Sequence, residues 1–214
     1  MRKFRDRHQA GKLLAGHLKS FSCQSNTLVL ALPRGGVPVA YEVAHALAIP
    51  LDVLIVRKLG VPEHEELAMG AIATGGTVIF NEPIIQDFHI SLAAIEDLLQ
   101  AERQELKRRE LLYRGERPFP GLKNQTIILV DDGIATGATM RAAINVLREH
   151  HPAHIILAVP VAPQSTCQEL ANDVDEVICL LQPLDFHTIG AWFEDFSQTT
   201  DSEVTALLAK ASVV

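Results

Sequence analysis

The fold is decided by the stretch Ile127-Ile128-Leu129-Val130-Asp131-Asp132-Gly133-Ile134-Ala135-Thr136-Gly137-Ala138-Thr139-Met140. Its first four residues are apolar and predict a buried strand, and two acids stand directly at the carboxyl end of that strand. A short loop of small residues then leads into a segment with helical spacing. A strand, a loop and a helix in this order form the repeating unit of parallel α/β folds, which bind ligands at the carboxyl ends of their strands.

Apolar runs of the same kind recur along the chain and predict further buried strands. With 126–130, the predicted strands are 27–32, 51–56, 155–161 and 174–181. Segments with helical spacing are 6–21, 37–48, 139–150, 164–171 and 201–211. This alternation predicts an α/β fold in which helices cover both faces of a mostly parallel central sheet, a Rossmann-like core.

Two features interrupt the alternation. Residues 69–74 and 77–80 flank Gly75-Gly76 and predict a β-hairpin. Ser91 is a candidate N-cap for a long charged helix ending near Tyr113, so the insertion covers about residues 69–113. The irregular, aromatic stretch 183–197 predicts a small C-terminal hood. The predicted organisation is therefore a core over 1–182, with a hood segment and a closing helix over 183–214 in the same domain.

The loop after Asp132 has the chemistry of a phosphate site. Backbone N–H groups of Ala135 to Thr139 and the positive end of the following helix are suited to an anion. Thr136 and Thr139 add hydroxyl donors, and Asp131 and Asp132 can accept hydrogen bonds from sugar hydroxyls. The alternative is an ordinary strand, turn and helix with an acidic N-cap.

This segment resembles the 5-phosphoribosyl pyrophosphate (PRPP) signature of the type I phosphoribosyltransferases, in which two acids precede a Thr-Gly-x-Thr/Ser loop. The resemblance implies the fold of that family and assigns Asp131 and Asp132 to the ribose hydroxyls. It assigns the 5-phosphate to Ala135, Thr136, Gly137, Ala138 and Thr139, and it includes Gly133 among the PRPP-binding residues.

A second segment, Leu32-Pro33-Arg34-Gly35-Gly36, follows the first strand, as the pyrophosphate loop does in that family. Arg34 offers a planar donor fork suited to phosphate oxygens, and Gly35 and Gly36 permit close approach of the backbone. Taken alone, Pro-Arg-Gly-Gly is commonly just a turn. Its place relative to the acids favours the binding role.

Arg57-Lys58 is predicted to end the second strand at the same edge of the sheet. Lys58 is thus a candidate catalytic residue, with Arg34, Asp131 and Asp132, that would neutralise the leaving pyrophosphate. The resemblance places a mobile catalytic loop next, over residues 60–66. The three glutamates of this segment would repel a bound polyanion unless they interact with magnesium or with an amine of the base.

The resemblance further implies that a nitrogen acceptor displaces pyrophosphate from C1 of the ribose. Mg²⁺ would be held mainly through PRPP, with Asp131 and Asp132 as candidate protein ligands. Hood aromatics such as Phe186 and Trp192 are candidates for stacking on the acceptor, although rings of this kind can equally form the hood's own core. Enzymes for 6-oxopurines carry an aspartate where this chain has Ala135, which disfavours a hypoxanthine–guanine activity. Adenine, uracil and acceptors other than nucleobases stay open.

The composition argues against some classes of binding partner. The net charge of −7 argues against a nucleic-acid partner. The three scattered cysteines, the polar N-terminus and the lack of a long apolar run predict a cytoplasmic protein with no membrane partner. The family resemblance adds a homodimer as an expectation. Two other functions on the same fold stay open: a non-catalytic sensor of PRPP or nucleotides, and a hydrolase that uses water as the acceptor.

Overall fold

The structure is a computed structural model that describes residues 3–211, apart from the side chains of residues 65 and 66. Within those residues the helices are α1 (Arg7–His17), α2 (Gly36–Leu47), α3 (Glu82–Asp87), α4 (Leu92–Arg114), α5 (Ala138–Glu149), α6 (Gln164–Leu170) and α7 (Asp201–Ala211). The strands are β1 (Thr27–Ala31), β2 (Leu51–Val53), β3 (Val56–Val61), β4 (His64–Ala73), β5 (Val78–Phe80), β6 (Thr126–Val130), β7 (His154–Val161) and β8 (Glu176–Leu181). Short 3₁₀ helices are Lys19–Phe21, Thr74–Gly76 and Ile189–Trp192. Across this described part of the chain, no helix combines the length and apolarity that a membrane crossing requires.

Five parallel strands form the central sheet in the order β2-β1-β6-β7-β8. β6 lies in the middle and is paired with β1 along its whole length, from Thr27↔Thr126 to Ala31↔Val130. All five residues of β1 and of β6 are buried, as expected of strands covered on both faces. The predicted parallel α/β core is confirmed.

Successive residues of the central strands face two different apolar layers. Val29 and Ala31 of β1 contact the layer formed with α1, α2, α4 and α7, whereas Leu28 and Leu30 face the layer formed with α5 and α6. This alternation follows from the two-residue side-chain period of a strand. Helices therefore cover both faces of the sheet, as the sequence predicts.

The prediction of one strand over 51–56 is wrong. β2 ends at Val53, and the Leu54 N–H still donates to the Ala31 carbonyl at 3.0 Å. Ile55 then forms hydrogen bonds with the buried Thr74, and the chain enters a separate antiparallel sheet of β3, β4 and β5. Residues 53–56 are all apolar, because Leu54 and Ile55 are both buried, although in different layers. Hydrophobicity alone therefore does not show that β2 ends at Val53.

The prediction of a loop over residues 60–66 is wrong: these residues form the end of β3, a tight turn at 62–63 and the start of β4, and Val61 pairs with His64. Glu63 is at the tip of this turn with a φ of 66°, while the side chains of Glu65 and Glu66 lie outside the described residues. The predicted hairpin at Gly75-Gly76 is confirmed by the pairing of β4 with β5. The long helix is confirmed as α4, with the Ser91 Oγ accepting from the Ala94 N–H at 3.2 Å.

The predicted hood, residues 183–197, carries the 3₁₀ helix Ile189–Trp192 and has its own apolar cluster, the hood core. Trp192 and Phe193 are buried there against Phe4 and Val161. The closing helix α7 packs instead on α2 and α4, so it belongs to one layer of the central sheet. Residues 212–214 of the predicted hood region lie outside the described residues.

Candidate functional site

The candidate site lies where β1 and β6 end together. Because these strands are parallel and in register, the turn after Ala31 and the acids after Val130 meet at one edge of the sheet. The Leu32 N–H donates to the Val130 carbonyl at 2.9 Å and fixes this junction. The structure thereby brings the predicted pyrophosphate turn next to the predicted ribose acids.

Two glycines allow this approach. A Cβ on Gly35 would lie 2.0 Å from Oδ2 of Asp132, and a Cβ on Gly36 would lie 2.8 Å from the Val130 carbonyl oxygen. No heavier residue fits at such distances without displacing the acids. Gly35 has a φ of −58° and a ψ of −33°, so space, and not backbone conformation, requires glycine there.

The predicted phosphate loop ends at the N-terminus of α5. Gly137 has a φ of 77° and is the N-cap residue of α5, a conformation that favours glycine. The first N–H groups of α5 have no partner within the helix and are directed out of its N-terminal end. The Thr166 hydroxyl donates to the Ala135 carbonyl at 3.2 Å and ties the loop to α6. Thr136 and Thr139 are exposed, so their hydroxyls are accessible to an anion.

The two acids form a strongly coupled pair of carboxyl groups. Burial, and then the charge of Asp132, raise the pKa of Asp131 well above its usual range. Burial also raises the pKa of Asp132, although Arg7 opposes this increase. The Asp132 N–H donates to Oδ1 of Asp131 at 2.8 Å. A pair of this kind favours a cation or several hydroxyl donors beside it.

Arg7 is a site residue that the sequence did not reveal. Its Nε and Nη2 atoms each lie 2.8 Å from Oδ2 of Asp132, across 125 positions of sequence. No local pattern could indicate such a contact, since it depends on where α1 docks against the sheet. The fixed positive charge of Arg7 therefore belongs to the electrostatics of the acid pair.

Arg34 lies in the predicted turn, but its side chain points to the start of α7. Its Nη1 atom is 3.7 Å from Oδ1 of Asp201, which also accepts from the Tyr113 hydroxyl at 2.5 Å. Burial and this hydrogen bond raise the pKa of Tyr113 to about 12. The Arg34 side chain is partly exposed, so it can exchange Asp201 for an anionic ligand.

The structure does not place Lys58 where the sequence predicted. It lies within β3, paired with Ala71 of β4, because β2 ends before it. Its exposed side chain lines a surface cavity of about 450 Å³ together with Pro62, Glu63 and Glu102. The predicted position at the carboxyl end of a central strand is therefore wrong, and its catalytic role stays a prediction.

The hood aromatics differ in their accessibility. Trp192 is only 6% exposed within the hood core, which leaves no free face for stacking on an acceptor. Phe186 packs at the edge of that core and is partly exposed. Ile189 lies against Gly133, where a Cβ would be 2.6 Å from its Cγ2 atom, so the hood directly contacts the PRPP motif.

A cavity of about 640 Å³ adjoins the phosphate loop. Thr136, Ala138 and Arg141 form its wall on the α5 side, and Ile79 and Phe80 are among the residues on the side of the small sheet. Arg141 is held by an ion pair with Glu169 at 2.5 Å. The outer side of the phosphate loop is therefore open to a small molecule.

Comparison with known proteins places this arrangement in a family. The model for the phosphoribosyl transferase domain matches residues 7–194. "Putative phosphoribosyl transferase Rv0571c" from Mycobacterium tuberculosis is 44% identical over 211 residues, which are 99% of this chain and 47% of that protein. The chain thus spans about half the length of such curated relatives.

Two solved structures share the fold of this chain. TT1426 from Thermus thermophilus is 40% identical, with a TM-score of 0.87 over 98% of this chain and 99% of that one. AQ2163 from Aquifex aeolicus, 11% identical with a TM-score of 0.51 over 86% of this chain and 78% of that one, shares the fold. The resemblance that the two acids and the Thr-Gly-x-Thr loop suggested is therefore confirmed: the chain belongs to the phosphoribosyl transferase domain family.

Proposed function

We propose that this chain transfers the 5-phosphoribosyl group of PRPP to a nitrogen acceptor and releases pyrophosphate. The observation that carries the proposal is the junction of β1 and β6, where Gly35 contacts Asp132 beside an open phosphate loop. In this arrangement the loop after Gly133 would hold the 5-phosphate, the two acids the ribose hydroxyls, and the backbone of Gly35 and Gly36 the pyrophosphate.

The reaction that this geometry supports is a displacement at C1 of the ribose. The nitrogen lone pair forms the new C1–N bond while the C1–O bond breaks, and pyrophosphate leaves with the electron pair. The proton that the acceptor nitrogen releases passes to solvent or to the departing pyrophosphate. The charge that develops on the ribose resembles an oxocarbenium ion, which adjacent carboxylates stabilise. Asp131 and Asp132 would therefore act by position and charge, and Ala135 supplies no side-chain group for proton transfer.

We also propose that Mg²⁺ takes part. The carboxylates of Asp131 and Asp132 are hard oxygen ligands, and their raised pKa values mean that a further positive charge beside them would be favourable. Across the described residues, no group of three or more His, Cys, Asp or Glu side chains is arranged to hold a metal. As the family resemblance implies, the ion would be held mainly through PRPP, with Asp131 and Asp132 as the protein residues beside it, and it would supply positive charge that offsets the charge of the pyrophosphate.

The acceptor proposed is a nucleobase or a related planar nitrogen compound bound beneath the hood. Phe186 is the candidate ring for stacking on it, because Phe186 is partly exposed whereas Trp192 is enclosed in the hood core. Ile189 links this region to the PRPP motif through its contact with Gly133. Assembly as a homodimer, which the family resemblance suggests, is a further proposal that sedimentation equilibrium tests directly.

Pyrophosphate release from PRPP with Mg²⁺ tests this proposal, with purines, pyrimidines and small amines as acceptors. We expect release that depends on one acceptor and is lost in the variant Asp131→Asn/Asp132→Asn. Release of pyrophosphate without any acceptor, with ribose 5-phosphate as the other product, would show that the protein is a hydrolase and not a transferase. Binding of PRPP with no turnover across the panel would instead favour a sensor.

A further inference from the structure

The Arg7 side chain occupies a largely enclosed position between the acid pair and the hood. Arg7 is the first residue of α1, and only 11% of its side chain and 11% of the Asp132 side chain are exposed. Asp6 holds the start of this helix in place, since its Oδ1 atom accepts from the Gln9 N–H at 2.7 Å. The capped N-terminus of α1 therefore fixes the position of the guanidinium at the site.

On one side, the guanidinium contacts a single carboxylate oxygen. Oδ2 of Asp132 accepts from Nε of Arg7 at 2.8 Å, and Nη2 of Arg7 lies 2.8 Å from the same oxygen as an ion pair. The backbone of Gly35 lies close to the same oxygen, since a Cβ added to Gly35 would be 2.0 Å from Oδ2. Since Oδ2 is enclosed between Arg7 and Gly35, Oδ1 is the oxygen of Asp132 left for a ligand, and the orientation of the carboxylate is fixed.

On its other side, the same guanidinium contacts the hood. Its Nη1 atom donates to the Ser197 carbonyl at 2.7 Å, and its central carbon lies 3.9 Å above the ring of Phe196. Phe196 in turn packs on Phe193, with ring centroids 5.0 Å apart, and on Gly190. A planar, delocalised cation is suited to such a combination of a carboxylate, a carbonyl and an aromatic face, whereas an ammonium is not.

We propose that Arg7 is a positioning residue that orients Asp132 toward the ribose of PRPP and couples that carboxylate to the position of the hood. This inference rests on the proposed function for its ligand. If the ion pair had a purely structural role, loss of Arg7 would lower stability, and any effect on PRPP affinity would be the same with or without the Asp132 carboxylate. If Arg7 positions Asp132, loss of Arg7 weakens PRPP binding only when that carboxylate is present.

The test compares Arg7→Met and Arg7→Lys with a matched control, Arg5→Met, whose exposed side chain pairs with Asp6 on the same segment. We expect Arg7→Met to weaken PRPP binding at least tenfold and to raise the KM for the acceptor. Arg7→Lys should recover part of the PRPP affinity, because it restores charge without the planar fork. Arg5→Met should stay within twofold of the parent protein.

A double-mutant comparison separates positioning from stability. In an Asp132→Asn background, Arg7→Met should change PRPP affinity by less than twofold, because the carboxylate it orients is absent. An undiminished effect in that background would overturn the proposal, as would an Arg7→Met protein with a lower Tm and unchanged PRPP affinity. Should Arg7→Met fail to fold, Arg7→Lys in both backgrounds gives the same comparison.

The coupling to the hood is measured without PRPP. Trp192 is the only tryptophan in the chain and lies in the hood core, so its fluorescence reports on that region. We expect both Arg7→Met and Asp132→Asn to increase acrylamide quenching of Trp192 at least twofold, while Arg5→Met does not. Unchanged quenching in both variants would overturn the coupling. Failure of the parent protein to bind PRPP, by contrast, would overturn the proposed function.

Discussion

Replacement of Gly35 by alanine is expected to weaken PRPP binding at least 100-fold, equivalent to about 2.7 kcal/mol. The added Cβ would lie 2.0 Å from Oδ2 and 2.7 Å from Cγ of Asp132. Asp132 cannot retreat, since Arg7 holds the same oxygen from the other side. Either the turn or the carboxylate must therefore leave its position, and both belong to the proposed binding site. Calorimetric titration with PRPP and Mg²⁺ measures the change.

The control for this prediction is Gly16→Ala, on an exposed position of α1 where a Cβ meets no atom within 4 Å. Alanine favours a helix over glycine by about 1 kcal/mol, so this variant should keep its PRPP affinity and gain stability. Wild-type affinity in Gly35→Ala would show that the contact between the turn and the acid pair does not define the site.

Replacement of Asp131 by asparagine is expected to abolish turnover and to stabilise the protein at neutral pH. We expect kcat/KM to fall at least 100-fold, because the carboxylate beside the developing positive charge is lost. The folded protein raises the pKa of Asp131, so the native state binds the proton more tightly than the unfolded state does. Above both pKa values the ionised carboxylate costs the native state about 1.4 kcal/mol for each unit of that increase, and asparagine removes this cost.

The sign of the pH dependence is a stringent part of this prediction. Between the usual carboxyl pKa of about 4 and the raised value, stability falls as pH rises, since the native state has to release a proton that the unfolded state has already lost. The advantage of Asp131→Asn should thus vanish toward pH 4 and grow as pH rises toward the raised pKa of Asp131. Tm should increase by about 2–4 °C for each kcal/mol gained.

Asp132→Asn provides a contrasting variant, since it leaves the buried Arg7 guanidinium without its carboxylate and should lower Tm. Thermal unfolding of both variants between pH 4 and pH 8 measures the comparison. An Asp131→Asn protein that is less stable than the parent at neutral pH would contradict the account of the acid pair.

The sequence predicted the parts of the fold that depend on local patterns. The buried strands around β6, the Ser91 cap of α4 and the hairpin at Gly75-Gly76 each have a signal within about ten residues. The acid pair and the phosphate loop were found for the same reason, because strand, acids, loop and helix are contiguous in the chain.

What the sequence could not show depends on contacts between distant segments. Arg7 and Asp132 are 125 positions apart, and no periodicity relates them. The break after Val53 is hidden because the next two residues are apolar and enter different layers, which displaced Lys58 from its predicted position. Trp192 looked available for an acceptor, although the docking of Phe4 and Val161 encloses it.

We propose above all that the junction of β1 and β6 forms a PRPP site. Calorimetric titration of the protein with PRPP in the presence of Mg²⁺ tests it most directly, with ribose 5-phosphate and pyrophosphate as competitors for the two ends of the site. We expect one PRPP to bind per chain, to be displaced by either competitor and to be lost in Asp131→Asn/Asp132→Asn. No binding of PRPP, or binding that the double substitution leaves unchanged, would contradict it.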